Sequence, residues 1–308
     1  MERRHVLQSV ATAFTGGFVG LSRTAAGTQT RPAPPTMRPP VVAADGTRLY
    51  VRDWGTGQPI VFLAPWALCA DWWDAHMTSL VDRGFRCVAY DRRGHARSDE
   101  PGRGYDFDTL ADDLAAVLDR LDLHNVVLVG HSMGASEVVR YLTRHRSGPV
   151  TRAVLVAPIT PLTLKTDTNP DGVPREILEQ GRAGLKRDFH RRIAQAASGF
   201  FGAPANAVSI EAMDWWTRMM VDRCSLKVML DLHKVMTETD FRTELRAIAV
   251  PTLIVHGDKD TSANLELTGR RTQQLIPRSE LKVYEGAAHG LPFTHAERFE
   301  ADLLAFLK

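Results

Sequence analysis

Along this chain, short runs of consecutive apolar residues alternate with stretches whose apolar positions recur every three or four residues. The apolar runs are Ile60–Leu63, Cys87–Tyr90, Val126–Val129, Ala153–Val156, Thr252–Val255 and Leu281–Tyr284. Each is too short for a helix, which predicts a buried strand. Leu49–Trp54 reads as an earlier strand, with Gly55–Pro59 as its turn. Helical periodicity fills the gaps at Ala70–Arg83, from Asp108 to Leu121, from Met133 to about His145, and at Leu265–Leu275 and Ala296–Leu307. Asp108 is placed to cap its helix. This alternation predicts an α/β fold, a mostly parallel sheet flanked by helices. After Pro158 it stops: residues 162–245 hold no clear strand but several helical stretches, which predicts a helical cap inserted over the sheet. No internal repeat is present.

Composition narrows the class. Of 308 residues, 44% are apolar and 24% charged, which excludes a disordered chain, a collagen-like fibre and a coiled coil. With 38 Lys and Arg against 36 Asp and Glu, the net charge is +2 and gives no reason to expect a nucleic-acid partner. The three cysteines, Cys69, Cys87 and Cys224, lack zinc spacing and read as buried thiols, with one disulfide open to an exported chain. Residues 1–30 resemble a Tat-like export signal. Arg3 and Arg4 form a twin pair, Val6–Ser22 carries no charge, and small residues follow at Ala25–Gly27. The apolar run is too short and too weak for a stable membrane anchor, so the expectation is a protein exported to the periplasm or beyond. Residues 31–40, RPAPPTMRPP, read as an extended linker, which leaves 41–308 as the folded unit.

Gly130-His131-Ser132-Met133-Gly134 is a G-x-S-x-G between an apolar strand and a helix, the context in which a serine is held up as a nucleophile. A serine hydroxyl needs a base, and on such sites the acid and then the histidine follow in the chain. His289, in Gly286-Ala287-Ala288-His289-Gly290 after the last strand, is the candidate base. The loop after the preceding strand offers Asp258 and Asp260. Asp260 is the better acid, because its extra loop length is needed to reach the histidine, and Asp258 is left to order the turn. Acyl transfer also needs two N–H donors for the oxyanion. Met133 N–H follows the nucleophile, and Trp66 N–H is the candidate in Ala64-Pro65-Trp66, since Pro65 has no N–H. His256 reads as a packed strand-end residue and His131 as a space filler behind the nucleophile. No HExxH or calcium-loop pattern occurs, so neither metal nor cofactor is expected.

Together these residues are similar to the α/β-hydrolase fold enzymes, and more closely to the cofactor-free bacterial haloperoxidases, also described as aryl esterases and perhydrolases. The resemblance covers nearly all of the chain after about residue 41. It is carried by DRRGHARSDEP at 91–101, GYDFDTLADDL at 104–114, GHSMGASEVVRYLTRH at 130–145, PLTLKTDTNPDGVP at 161–174 and LKVYEGAAHGL at 281–291. It implies Ser132, Asp260 and His289 as a catalytic triad, with Trp66 and Met133 as oxyanion donors. The chain departs from the family's usual pattern in three places. Ala64-Pro65 replaces His-Gly, Ala67 stands where marked perhydrolases carry proline, and Thr261–Asn264 replaces an apolar stretch containing proline.

The expected activity is cleavage of small carboxylic esters through an acyl-enzyme, with perhydrolase or haloperoxidase side activity. A lactonase or carboxylesterase without peroxide chemistry would use the same site. A binding protein on this fold is the rival from another class, and a dehalogenase would need a carboxylate at position 132. Phe200, Phe201, Met213, Trp215, Trp216, Met219, Met220 and Met229 line an apolar pocket or pack cap onto core; none is singled out as a substrate contact. The oligomeric state stays open, a homo-oligomer included.

Overall fold

The computed structural model describes residues 40–308. The proposed export signal lies outside the described residues, as does all of the linker except Pro40. Among the described residues nine strands form: β1 (Val41–Val42), β2 (Arg48–Leu49), β3 (Val51–Trp54), β4 (Pro59–Leu63), β5 (Arg86–Tyr90), β6 (Val126–His131), β7 (Val150–Val156), β8 (Thr252–Gly257) and β9 (Ser279–Tyr284). β1 and β2 make a small antiparallel ribbon. The other strands build one seven-stranded sheet in the order β3-β5-β4-β6-β7-β8-β9. Only β3 runs antiparallel to its neighbour in that sheet. β4, β6 and β8 are buried at every position, which is why they read as unbroken apolar runs rather than alternating ones.

The covering helices are α1 (Asp74–Asp82), α2 (Phe107–Arg120), α3 (Met133–Arg144), α8 (Gly269–Leu275), α9 (Leu291–Thr294) and α10 (Ala296–Leu307). Between β7 and β8 the chain instead forms α4 (Arg175–Phe201), α5 (Ile210–Arg223), α6 (Leu226–Glu238) and α7 (Arg242–Ala247). α4 is kinked where Asp188 leaves helical geometry. Local details depart from the sequence expectations. The expected first strand is split at Tyr50 into β2 and β3. The cap of α2 is Asp106, not Asp108: its carboxylate accepts from Thr109 N–H at 2.9 Å, while Asp108 pairs with Arg140 on α3. Ala70–Trp73 is a 3₁₀ turn leading into α1. Cys69, Cys87 and Cys224 are all free and buried. No helix among the described residues is long and apolar enough to cross a membrane.

The sheet order reverses around β4, with β5 on one side and β6 on the other. In open α/β sheets a crevice forms at the carboxyl ends of the strands where the order reverses. The loops after β4, β6, β8 and β9 carry Trp66, Ser132, Asp260 and His289, so this topology brings together four residues far apart in sequence.

Candidate active site

Ser132 sits between β6 and α3 with φ 56° and ψ −115°, a conformation that side chains other than glycine rarely adopt. The turn holds it there. Ser132 N–H donates to Val156 O on β7 at 2.8 Å. A Cβ at Gly134 would come within 2.5 Å of Leu63 O, and one at Gly130 would strike the Gly134 carbonyl. These two glycines let α3 start directly against β4 and β6. Ser132 caps α3 through its position alone, so the unpaired N–H groups of the first turn favour negative charge beside its hydroxyl.

His289 follows β9, and its Nδ1 lies 2.6 Å from Asp260 Oδ2. Asp260 is heavily constrained. Its Oδ1 accepts from Ser262 N–H and Ala263 N–H, both at 2.8 Å. The Thr261–Asn264 loop thus offers two main-chain donors, and a proline at either position would remove one. Burial pushes the Asp260 carboxyl up, but His289 beside it and hydrogen bonds from His256 and His289 hold it well below the usual carboxylate range. Asp258 has the other role: its carboxylate accepts from Gly286 N–H at 2.7 Å and ties the turn after β8 to the turn before His289.

Ser132 and His289 line one cavity of about 230 Å³ together with Trp66, Leu68, Ile159, Ile193, Phe200, Trp216, Met220, His233 and Met236. No hydrogen bond joins Ser132 Oγ to the His289 ring in this conformation; contacts of this type tighten around a reacting substrate. Neither Trp66 N–H nor Met133 N–H has an acceptor among the described residues. Met133 is the first residue of α3, where no intrahelical acceptor exists. The Trp66 indole donates to Met229 O on α6 at 3.0 Å and so links the loop after β4 to the helical insertion. Among the apolar residues of that insertion, Ile193, Ala196, Phe200, Trp216, Met220 and Met236 face the cavity. Phe201, Met219 and Met229 are buried in the core. A larger depression of about 620 Å³ along α4, with Arg187, Arg191 and Arg192 in its walls, shares no lining residue with this cavity and holds no serine, cysteine or histidine.

A family model for the alpha/beta hydrolase fold matches residues 58–296. The chain belongs to the α/β-hydrolase fold family. This hydrolase is 41% identical over 268 residues to the non-heme chloroperoxidase CPO-A1 of Kitasatospora aureofaciens, covering 85% of this chain and 97% of that protein. It is 37% identical over 274 residues to the bifunctional esterase/perhydrolase DCH of Acinetobacter calcoaceticus, covering 87% and 99%. The crystal structure of a bromoperoxidase from Bacillus anthracis superposes with a TM-score of 0.81 at 34% identity, covering 85% of this hydrolase and 95% of that chain.

Three residues of the hydrolase do more than the sequence reading assigned them. His131 is buried with its ring pushed well below the usual histidine range by desolvation and by His289, so it is neutral. Its Nε2 lies 2.9 Å from His289 O, which pins the backbone of the loop that carries His289. His256 Nε2 lies 2.8 Å from Ala263 O and 3.4 Å from Asp260 Oδ2, so it braces the acid loop rather than merely ending a strand. The signal for both was a histidine at the C-terminal end of an apolar strand, where a filler residue would be aliphatic.

The third residue is Arg92, buried just past β5. Its Nη2 donates to Ala64 O at 2.8 Å and its Nε to Glu137 Oε1, also at 2.8 Å. Glu137 lies on α3, one turn beyond Met133. Arg92 therefore holds in register the two elements that present the Trp66 and Met133 N–H groups. Arg92→Met leaves Glu137 buried without its cation, which costs about 3–5 kcal/mol. At about 2–4 °C per kcal/mol the Tm should fall by ~6–20 °C, measured by thermal unfolding. Arg92→Met with Glu137→Met should recover most of that Tm but not turnover, because Ala64 O stays unheld. Full recovery of both would remove the register role.

Proposed function

We propose that this hydrolase is a serine esterase that cleaves small carboxylic esters through an acyl-enzyme. The observation that carries the reading is the meeting of Ser132 and His289 in one largely apolar cavity, with His289 Nδ1 bound to a buried Asp260. Ser132 Oγ attacks the ester carbonyl while His289 Nε2 takes the hydroxyl proton. Asp260 holds the imidazole in the tautomer with its proton on Nδ1 and stabilises the cation that forms. Trp66 N–H and Met133 N–H receive the oxyanion. The alkoxide leaves with the proton from His289. Water, deprotonated by His289, then attacks the acyl-enzyme, releases the carboxylic acid and restores Ser132.

Hydrogen peroxide in place of water would release a peracid, which oxidises a halide ion to hypohalous acid and returns the carboxylic acid. The chloroperoxidase and perhydrolase names among the relatives support this second activity. The site favours plain hydrolysis as the main one. Ala67 has φ 59°, a conformation closed to proline, whose ring holds φ near −65°. The loop therefore differs from the proline-bearing one that the resemblance implies for marked perhydrolases.

The test is release of p-nitrophenol from p-nitrophenyl acetate, followed by monochlorodimedone halogenation in acetate buffer with peroxide and bromide. Saturable hydrolysis with weaker halogenation is expected. Halogenation without any ester hydrolysis would overturn the order of the two activities. Absence of both, with no labelling by a fluorophosphonate, would favour a binding protein.

A further inference from the structure

Three polar groups lining the cavity have no part in that mechanism, the Ser262 hydroxyl, the Trp216 indole N–H and the His233 imidazole, and of these only the imidazole can both donate and accept through ring nitrogens. His233 lies on α6, and its ring meets the Trp66 indole edge-on at 5.9 Å between centroids. Nδ1 is buried without a hydrogen-bond partner. Nε2 has none either among the described residues. Leaving a buried imidazole nitrogen unpaired is unfavourable, and proteins rarely do so without a use for it. Of the other lining residues, Ile159 and Met236 are apolar and the Trp66 indole is already bonded to Met229 O, which leaves Ser262 Oγ and Trp216 Nε1 as the further groups outside the mechanism without a partner among the described residues.

The direction of the substrate follows from the reacting groups. The leaving oxygen must receive its proton from His289, so the alcohol lies on that side, against Phe200, whose ring is 5.4 Å from the His289 ring. The carbonyl oxygen points to the Trp66 and Met133 N–H groups. That leaves the part of the cavity wall that holds Trp66 and His233, whose rings are in contact, for the remaining substituent, the acyl chain. With about 230 Å³ available, that chain is short.

We propose that His233 is a specificity-determining residue that hydrogen-bonds a neutral oxygen on the acyl chain, so that the preferred substrates are esters of short hydroxy or keto acids rather than plain alkanoates. The inference rests on the esterase reading above. Burial and the nearby Arg182 guanidinium push the His233 pKa down to about 4, although Glu238 opposes them. The ring is therefore neutral at neutral pH and presents one donor and one acceptor. That matches a hydroxyl or a ketone better than a second carboxylate.

The experiment compares kcat/KM for p-nitrophenyl 3-hydroxybutyrate and p-nitrophenyl butyrate, which share a leaving group. Wild type should prefer the hydroxy ester by about 5- to 10-fold, the worth of one hydrogen bond. His233→Leu should bring the ratio to about 1, mainly through KM, whereas His233→Gln, which keeps a donor and an acceptor, should retain an intermediate ratio. An unchanged ratio in His233→Leu, as when solvent alone satisfies the ring, overturns the proposal. So does a wild-type preference for butyrate. If His233→Leu does not fold, the His233→Gln ratio decides: an intermediate value supports the proposal, and one equal to wild type or to 1 overturns it. Failure of wild type to hydrolyse either ester overturns the esterase reading and this inference with it, an outcome distinct from butyrate hydrolysis without discrimination.

Discussion

Ser132→Ala is expected to lower kcat for p-nitrophenyl acetate by about 10⁶-fold, the loss seen when a serine nucleophile of this type is removed. The substitution deletes one atom, and Ser132 Oγ makes no hydrogen bond within the protein. The hold on the turn comes instead from the main chain, through Ser132 N–H on Val156 O, and from Gly130 and Gly134. Alanine at φ 56° is no worse placed there than serine. Stability should therefore stay within about 0.5 kcal/mol of wild type, as for other substitutions that break no packing or pairing. The paired measurement is turnover with thermal unfolding, and fluorophosphonate labelling should disappear as well. Hydrolysis at the wild-type rate in a folded Ser132→Ala protein would place the nucleophile elsewhere.

Asp260→Asn should lower kcat by about 10⁴-fold with little change in KM. Asp260 accepts at both oxygens, Oδ2 from His289 Nδ1–H and Oδ1 from Ser262 N–H and Ala263 N–H. An amide has one accepting oxygen. If its NH₂ faces His289, the proton moves to Nε2 and the ring can no longer take the Ser132 proton. If its NH₂ faces the loop, it opposes two main-chain donors and the loop shifts. The first arrangement removes the base and the second displaces the loop that orients it.

The same substitution changes acid stability. The Asp260 carboxyl is held below its ordinary value of 3.8 in the folded protein. Its contribution is present above that value and is lost as pH falls through the folded one. The fall in stability below about pH 4 should thus be shallower in Asp260→Asn than in wild type, measured by urea unfolding at several pH values. Equal slopes would show that Asp260 is not the ionised partner of His289.

The α/β class was legible because strands buried on both faces are predominantly apolar, and β4, β6 and β8 are, with only Thr252 and the two histidines near their ends as exceptions. The turn at Ser132 was legible because its steric demand is local: Gly130 and Gly134 stand two residues away on either side. Loop length distinguished Asp260 from Asp258, and the structure gives the two residues different partners. The cap of α2 was misplaced by two residues because Asp106 and Asp108 are chemically alike. Only the approach of Arg140, from a different helix, separates them.

Sequence by itself determined the elements, their alternation and the chemistry available at each strand end, since these depend on the periodicity and sterics of neighbouring residues. Tertiary structure alone decided what braces that chemistry. His131 reaches His289 across 158 residues, Trp66 reaches Met229 across 163, and Arg92 joins Ala64 to Glu137. These contacts leave no local pattern, because a single buried hydrogen bond constrains two positions and nothing between them. His233 shows the same limit. On α6 it is one polar residue in a helix, and only its place against Trp66 at the cavity wall gives its unpaired nitrogens a meaning.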